Sequence, residues 1–227
     1  MASRRRLGRL AVTVVATLSL IAGGIWLWRA TAVADCTVTS GERTVDLTTD
    51  QAERATRGQS VDLDSEDLAL VKRAVSGRLP HSLSCEHTRA WSSASQELNG
   101  RGLTSRADAV RRSLGADFDG IVFGGYQPGG VTTGHMEGSA HYEGRAIDLF
   151  FRPVNKRQLR KGWAVAHYLV AHSERLKIET VIYDRKIWTR QQSPNGWREY
   201  RLDVRGKPAA TRAILLHRDH VHVDVAD

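Results

Sequence analysis

The 227-residue chain is poor in several residue types at once. It has two cysteines, two methionines, five prolines and 7% aromatic residues. Two cysteines exclude a cysteine-based metal cluster and a disulfide-dense scaffold. The glycine-rich segment Gly124-Gly125-Tyr126-Gln127-Pro128-Gly129-Gly130 is not followed by Lys-Ser/Thr, so a phosphate-cradling loop gives way to a turn between strands. Neither an internal repeat nor a low-complexity tract occurs. The net charge of +8 suggests nucleic acid until its position is noted. Arg4, Arg5, Arg6, Arg9 and Arg29 bracket one apolar run, and the remainder is only mildly basic, which argues against a nucleic-acid partner.

That run, residues 10–28, is uncharged. It is expected to form a single transmembrane anchor preceded by a cytoplasmic basic tail over residues 1–9, with the following domain extracytoplasmic by the positive-inside rule. The chain would then be a single-pass protein of the cell membrane. A cleaved signal peptide is the alternative, because Ala32-Val33-Ala34 offers small residues at a cleavage-like spacing, and the protein would then be secreted. Cys36 and Cys85 both follow this segment. In an oxidising compartment they would form one disulfide closing a loop of about fifty residues, worth roughly 3 to 4 kcal/mol, and two unrelated thiols are the alternative.

Residues 36–100 carry two helix-like stretches, Asp50 to Arg57 and Ser65 to Leu79, and are expected to make a small helical, disulfide-tied stalk without chemistry of its own. His81 and His87 are read as surface residues. After the turn-rich Asn99-Gly100-Arg101-Gly102 a second domain, 101–227, is expected. It would begin with a helix through Ala107, Val110 and Leu114, then a short strand ending at Phe123. A strand from Ala146 to Phe151, a helix from Lys156 to Arg175 and one or two strands from Ile178 to Trp188 follow, and a strand ends the chain near Val225. The fold class is α+β, a small antiparallel sheet flanked by helices, preceded by the transmembrane helix and the stalk.

His141 is followed by a glycine turn at Gly144, which lets the chain double back and bring Asp148 beside the His141 ring. Asp148 shares a strand face with the small Ala146, leaving space for an ion. Imidazole and carboxylate are both donors that zinc accepts. The other histidine-dense segment is His217-Arg218-Asp219-His220-Val221-His222. On a strand His220 and His222 project to one face, so one can bind metal while the other faces the substrate. Two histidines and one aspartate would leave a fourth position open, as in catalytic zinc sites. His167 and His172, five apart on a helix, are read as core or surface residues. Trp188, Trp197 and Asp184 are assigned to packing and a surface ion pair.

The pattern Ser139-x-His141-x-x-Gly144-x-Ala146-x-Asp148, followed late in the chain by His220-x-His222, resembles the Hedgehog and D-Ala-D-Ala peptidase superfamily over about residues 101–227. The resemblance implies zinc held by His141, Asp148 and His222, with His220 as active-site histidine. It also implies a hydrolase acting on peptidoglycan or another peptide, of endopeptidase or D,D-carboxypeptidase type. The alternative is a non-catalytic zinc module that binds a wall component or protein. His135 is similar to a histidine near the Hedgehog metal, and His217 to one in the endopeptidase branch. The family's Glu-x-x-His base is replaced here by Asp219, which joins His220 and His217 as a candidate for proton handling. The family's Ser-Gly-Tyr-Arg becomes Gly125-Tyr126-Gln127, which makes Gln127, with Arg145 and His135, a candidate substrate contact without the carboxylate-pairing arginine.

Overall fold

The computed structural model describes residues 35–86 and 96–227. The first described segment alternates β-branched and polar residues. Cys36–Ser40 (β1) and Arg43–Leu47 (β2) pair antiparallel across a turn at Gly41, and Leu83–Cys85 (β3) adds to the other edge of β1. Cys36 lies directly opposite Cys85 in that register, and the two are disulfide-bonded.

Two helices follow β2. Thr49–Thr56 (α1) starts with a capping box, in which the Thr48 hydroxyl accepts from the Gln51 N–H and the Gln51 side chain accepts from the Thr48 N–H. Ser65–Val75 (α2) is capped by Asp64. Residues 36–86 are therefore a three-stranded sheet with two helices: both expected helices form, and the helical stalk is corrected by the sheet beside them. The period-two pattern of Thr-Val-Thr and Thr-Val-Asp is the physical reason.

The second sheet has six strands in the order β4-β5-β9-β6-β7-β8, every pair antiparallel. Its members are Val122–Gly124 (β4), Ala146–Phe150 (β5), Ile178–Tyr183 (β6), Lys186–Thr189 (β7), Arg198–Glu199 (β8) and His220–Val225 (β9). The fold is α+β with antiparallel sheets. Helix Ser105–Asp117 (α3) precedes β4. Lys156–Ala171 (α4) and the short Ser173–Leu176 (α5) link β5 to β6, and Ala209–Leu215 (α6) leads into β9. The helix expected over Lys156 to Arg175 thus breaks at His172, where the chain enters α5.

Helix α4 buries every residue from Val165 to Ala171, which places its second half between layers while its first turns reach the surface. It touches α1, α2, β3 and β6, so one hydrophobic cluster runs from Cys36 through Leu83 and Trp163 to Val225. At the close approach of α4 to β6, a side chain on Gly162 would sit 2.2 Å from the Tyr183 ring.

No helix among the described residues is long and apolar enough to cross a membrane. The expectation of a transmembrane helix heading the fold, and with it the single-pass membrane assignment, is corrected on that finding. The segment over residues 10–28 and the tail over 1–9 lie outside the described residues, as does His87. That expectation rested on the uncharged apolar run and its flanking arginines, and the run is at the short end of what spans a bilayer.

His167, fully buried on α4, donates from Nδ1 to the Ala74 carbonyl at 2.7 Å. Its Nε2 is buried without a partner. Burial, only partly offset by that hydrogen bond, pushes its pKa down to about 4. The unfolded chain titrates near 6.5, so the neutral ring's contribution is complete above that pH and is lost as the pH falls from about 6.5 toward 4. Between pH 7 and pH 5 the loss is about 2 kcal/mol. Denaturant midpoints of wild type and His167→Gln at the two pH values are expected to differ in pH slope by roughly that amount. Equal slopes would sink the account.

Candidate metal centre and its cleft

Ser139 caps a single 3-10 turn, Ala140–Glu143, and Gly144 ends it in the left-handed region at φ 64°. A side chain there would meet the Gly102 carbonyl oxygen at 2.6 Å, so this reversal requires glycine. The Arg145 N–H then bonds back to Ala140 O at 2.9 Å. The chain turns directly into β5, and His141 ends beside Asp148.

Strand register does the rest. Gly124, Asp148, His222 and Ile182 lie in one row across β4, β5, β9 and β6. Residues two apart share a face, so Phe150 and His220 continue that face at one end, and Ala146 and Asp224 at the other.

The donor atoms converge. His141 Nε2 is 3.1 Å from His222 Nδ1 and 3.3 Å from Asp148 Oδ1, and His222 Nδ1 is 3.3 Å from the same oxygen. Metal–ligand bonds of about 2.1 Å at tetrahedral corners place neighbouring donors about 3.4 Å apart. The triangle fits such an ion to within a few tenths of an ångström, and His141, Asp148 and His222 could hold a metal ion.

Their outer partners point the same way. His141 Nδ1 donates to the Gly125 carbonyl at 2.7 Å, which leaves Nε2 as the free lone pair. His222 Nε2 faces Asp224 Oδ2 at 3.6 Å, leaving Nδ1 toward the centre. Burial pushes the Asp148 carboxyl up, but hydrogen bonds and charge from His141 and His222 outweigh it and hold the group well below the usual carboxylate range. Burial pushes His222 down, but Asp148 and Asp224 lift it to about 9. A metal ion would displace the Nδ1 proton.

Gly125 makes this packing possible. Its φ is +78°, and a methyl group added there would lie 2.4 Å from His141 Cε1 and 3.0 Å from Asp148 Oδ2. Gly125→Ala removes no ligand, yet it is expected to turn the His141 ring and weaken metal binding by about 10- to 100-fold, the effect of disturbing a ligand's support. Titration of the metal-free variant with zinc checks this; an unchanged affinity would show that the ring tolerates the shift.

The open side of the triangle faces a cleft of about 400 Å³, walled by Phe150, Ile182, Tyr200, Leu202, Ile214 and Leu215. His220 stands at its base, with Nδ1 on Asp219 Oδ1 at 2.8 Å and Nε2 3.9 Å from Asp148 Oδ1. Asp219 in turn accepts from Arg152 Nε at 2.8 Å and Nη2 at 2.7 Å. Its carboxylate is committed to these two partners and orients His220. His217 is in the left-handed region at φ 52° and lines the cleft, with its ring 4.7 Å from His220. Its Nδ1 is buried without a partner, and burial, then His222 and His220, push it down to about 3.

A family model described as the VldE C-terminal domain matches residues 99–212, half of the chain. The chain belongs to the VldE C-terminal domain family. No curated protein and no solved structure matches it. The VldE match includes His135, His141 and Asp148 and ends before the His217–His222 segment, so the two halves of the candidate metal centre fall on either side of its boundary.

Three of the sequence-expected contacts in this VldE domain are placed differently from one another. His135 lines the cleft and stacks on His141 with ring centroids 3.9 Å apart, held there by Tyr142, whose hydroxyl donates to His135 O and accepts from its N–H. Arg145 is instead bonded to Glu143, Asp227 and the Val225 carbonyl, tying the turn to the end of β9 away from the cleft. Gln127 bonds to Gly130 O within its own loop and does not line the cleft. Trp188 is fully buried and Asp184 pairs with Arg218, as packing and a surface ion pair require. Sequence reasoning missed Asp224 and Arg152. The period of two from His222 pointed to Asp224; nothing local marked Arg152, whose partner just ahead of β9 is 67 residues away.

Proposed function

We propose that the chain is a zinc-dependent peptidase that cleaves peptide bonds of peptidoglycan. The observation that carries this is the donor triangle of His141, Asp148 and His222, open on one side to an apolar-walled cleft with His220 at its base. Support for zinc comes from the donor set and its spacing; support for a peptide substrate comes from the resemblance to Hedgehog and D-Ala-D-Ala peptidase domains.

A zinc ion held by the three residues would supply a Lewis acid that polarises a peptide carbonyl and acidifies water. His220 Nε2 has the lone pair to accept a proton from the attacking water and return it to the departing amine. Asp219 holds the His220 Nδ1 proton and so fixes which nitrogen is the base. Arg152 keeps Asp219 in place. Asp219 therefore serves as orienting carboxylate, whereas its spacing in the sequence made it a candidate base. Phe150, Ile182 and Leu202 offer the substrate backbone dry walls against which polar contacts strengthen.

The test is digestion of purified peptidoglycan by the full chain, zinc-loaded or chelator-treated, with mass spectrometry of the muropeptides. Zinc-dependent release of cross-linked stems is expected for an endopeptidase, and loss of a terminal D-alanine for a carboxypeptidase. Intact muropeptides with zinc-loaded protein still bound to the sacculus would replace this reading with a non-catalytic wall-binding module.

A further inference from the structure

Two of the chain's acid-free stretches lie side by side in the fold. Between Asp67 and Glu86 lie Lys72, Arg73 and Arg78; between Asp148 and Glu174 lie Arg152, Lys156, Arg157, Arg160 and Lys161. The fold brings the stretches together. The turn ending α2 packs against the first turns of α4 so closely that a side chain on Gly77 would meet the Arg160 carbonyl oxygen at 2.2 Å. The His81 ring lies edge-on against Trp163 at 5.0 Å, and His167 reaches the Ala74 carbonyl.

All of these lysines and arginines are exposed. Arg152 is bonded to Asp219, and none of the other seven forms an ion pair with a described residue. Elsewhere in the fold Arg43, Arg111, Lys186 and Arg218 each hold a carboxylate. Seven like charges on neighbouring turns repel one another, and a polyanion would relieve that repulsion. Arg152, at the edge of the cleft and four residues before Lys156, makes the basic face continuous with the candidate site.

From this face we infer a docking surface for a linear anionic glycopolymer, one that carries phosphate along its length. Charge complementarity selects a polyanion. The surroundings select among polyanions: Trp163 is buried, so no exposed aromatic side chain of α2 or α4 offers a base a stacking platform. Val154 is the one exposed large hydrophobic in the two stretches, too little to enter a lipid layer. Such a polymer lying along α2 and α4 would lead toward Arg152 and hold the cleft near whatever the polymer is attached to. The inference stands on charge and packing alone and does not require the metal centre.

The experiment compares the full chain with Arg157→Gln/Arg160→Gln/Lys161→Gln, using poly(glycerol phosphate) as probe at low and moderate salt. A control removes three exposed cations elsewhere, Arg185→Gln/Arg201→Gln/Lys207→Gln. Thermal melts establish that each variant is folded. The face variant is expected to bind about tenfold or more weakly with a shallower salt dependence, while the control changes less than twofold. Neutral dextran should not bind. Equal losses in both triple variants, no binding by the wild type, or tighter binding to duplex DNA or to vesicles of anionic phospholipid would each overturn the proposal.

Discussion

For the proposed zinc peptidase, Asp148→Asn is expected to abolish stable zinc binding and to lower peptide hydrolysis by about a thousandfold, although it changes one atom of a buried side chain. The carboxylate is the one anion of the donor triangle, 3.3 Å from both His141 Nε2 and His222 Nδ1. It stays ionised in a buried position because those two imidazoles outweigh the cost of desolvation. An amide keeps the shape, supplies a far weaker donor and leaves the two ring nitrogens facing each other at 3.1 Å without a compensating charge. The several kcal/mol of charge stabilisation that a metal ion contributes to such a reaction would go with it, which corresponds to about 10³-fold in rate. Zinc stoichiometry after dialysis and muropeptide turnover check the two effects separately. Wild-type metal content in the variant would remove Asp148 from the ligand set.

The second large effect concerns His220 and is argued from non-additivity. His220→Ala removes the group facing the open side of the triangle and is expected to lower kcat by about 10²- to 10⁴-fold with zinc content unchanged. Asp219→Asn should also lower kcat, because it no longer holds the Nδ1 proton donated to it at 2.8 Å. If Asp219 acts through His220, the double variant is no slower than His220→Ala alone. If Asp219 were an independent base, the two losses would multiply. Steady-state kinetics on a soluble muropeptide distinguish the cases.

Much of the candidate metal centre was legible because each half is local. The turn at Gly144 and the alternation of Ala146, Asp148 and Phe150 can be read from ten residues, and His220 and His222 share a strand face by the same arithmetic. What joins the halves is the antiparallel pairing of β5 with β9, which no local pattern states. The same limit hid the Arg152–Asp219 contact and the structural partners of Arg145, since Asp227 and Val225 lie about eighty residues further along the chain. The sheet of residues 36–86 was missed for another reason. Its strands are five, five and three residues long, too short to outweigh two well-capped helices beside them. Gln127 was selected by motif position alone, and its loop turns the side chain to Gly130.

Strand β9 lies between β5 and β6, yet in the chain it follows both of them. During synthesis the sheet therefore has a gap at its centre until the last described strand leaves the ribosome. Pairings that distant close slowly, because their loop entropy is lost before any contact compensates. His220 and His222 arrive on that strand, so a nascent chain holds His141 and Asp148 with neither histidine beside them. Completion of the sheet and completion of the site are one event, and a partly made chain has neither.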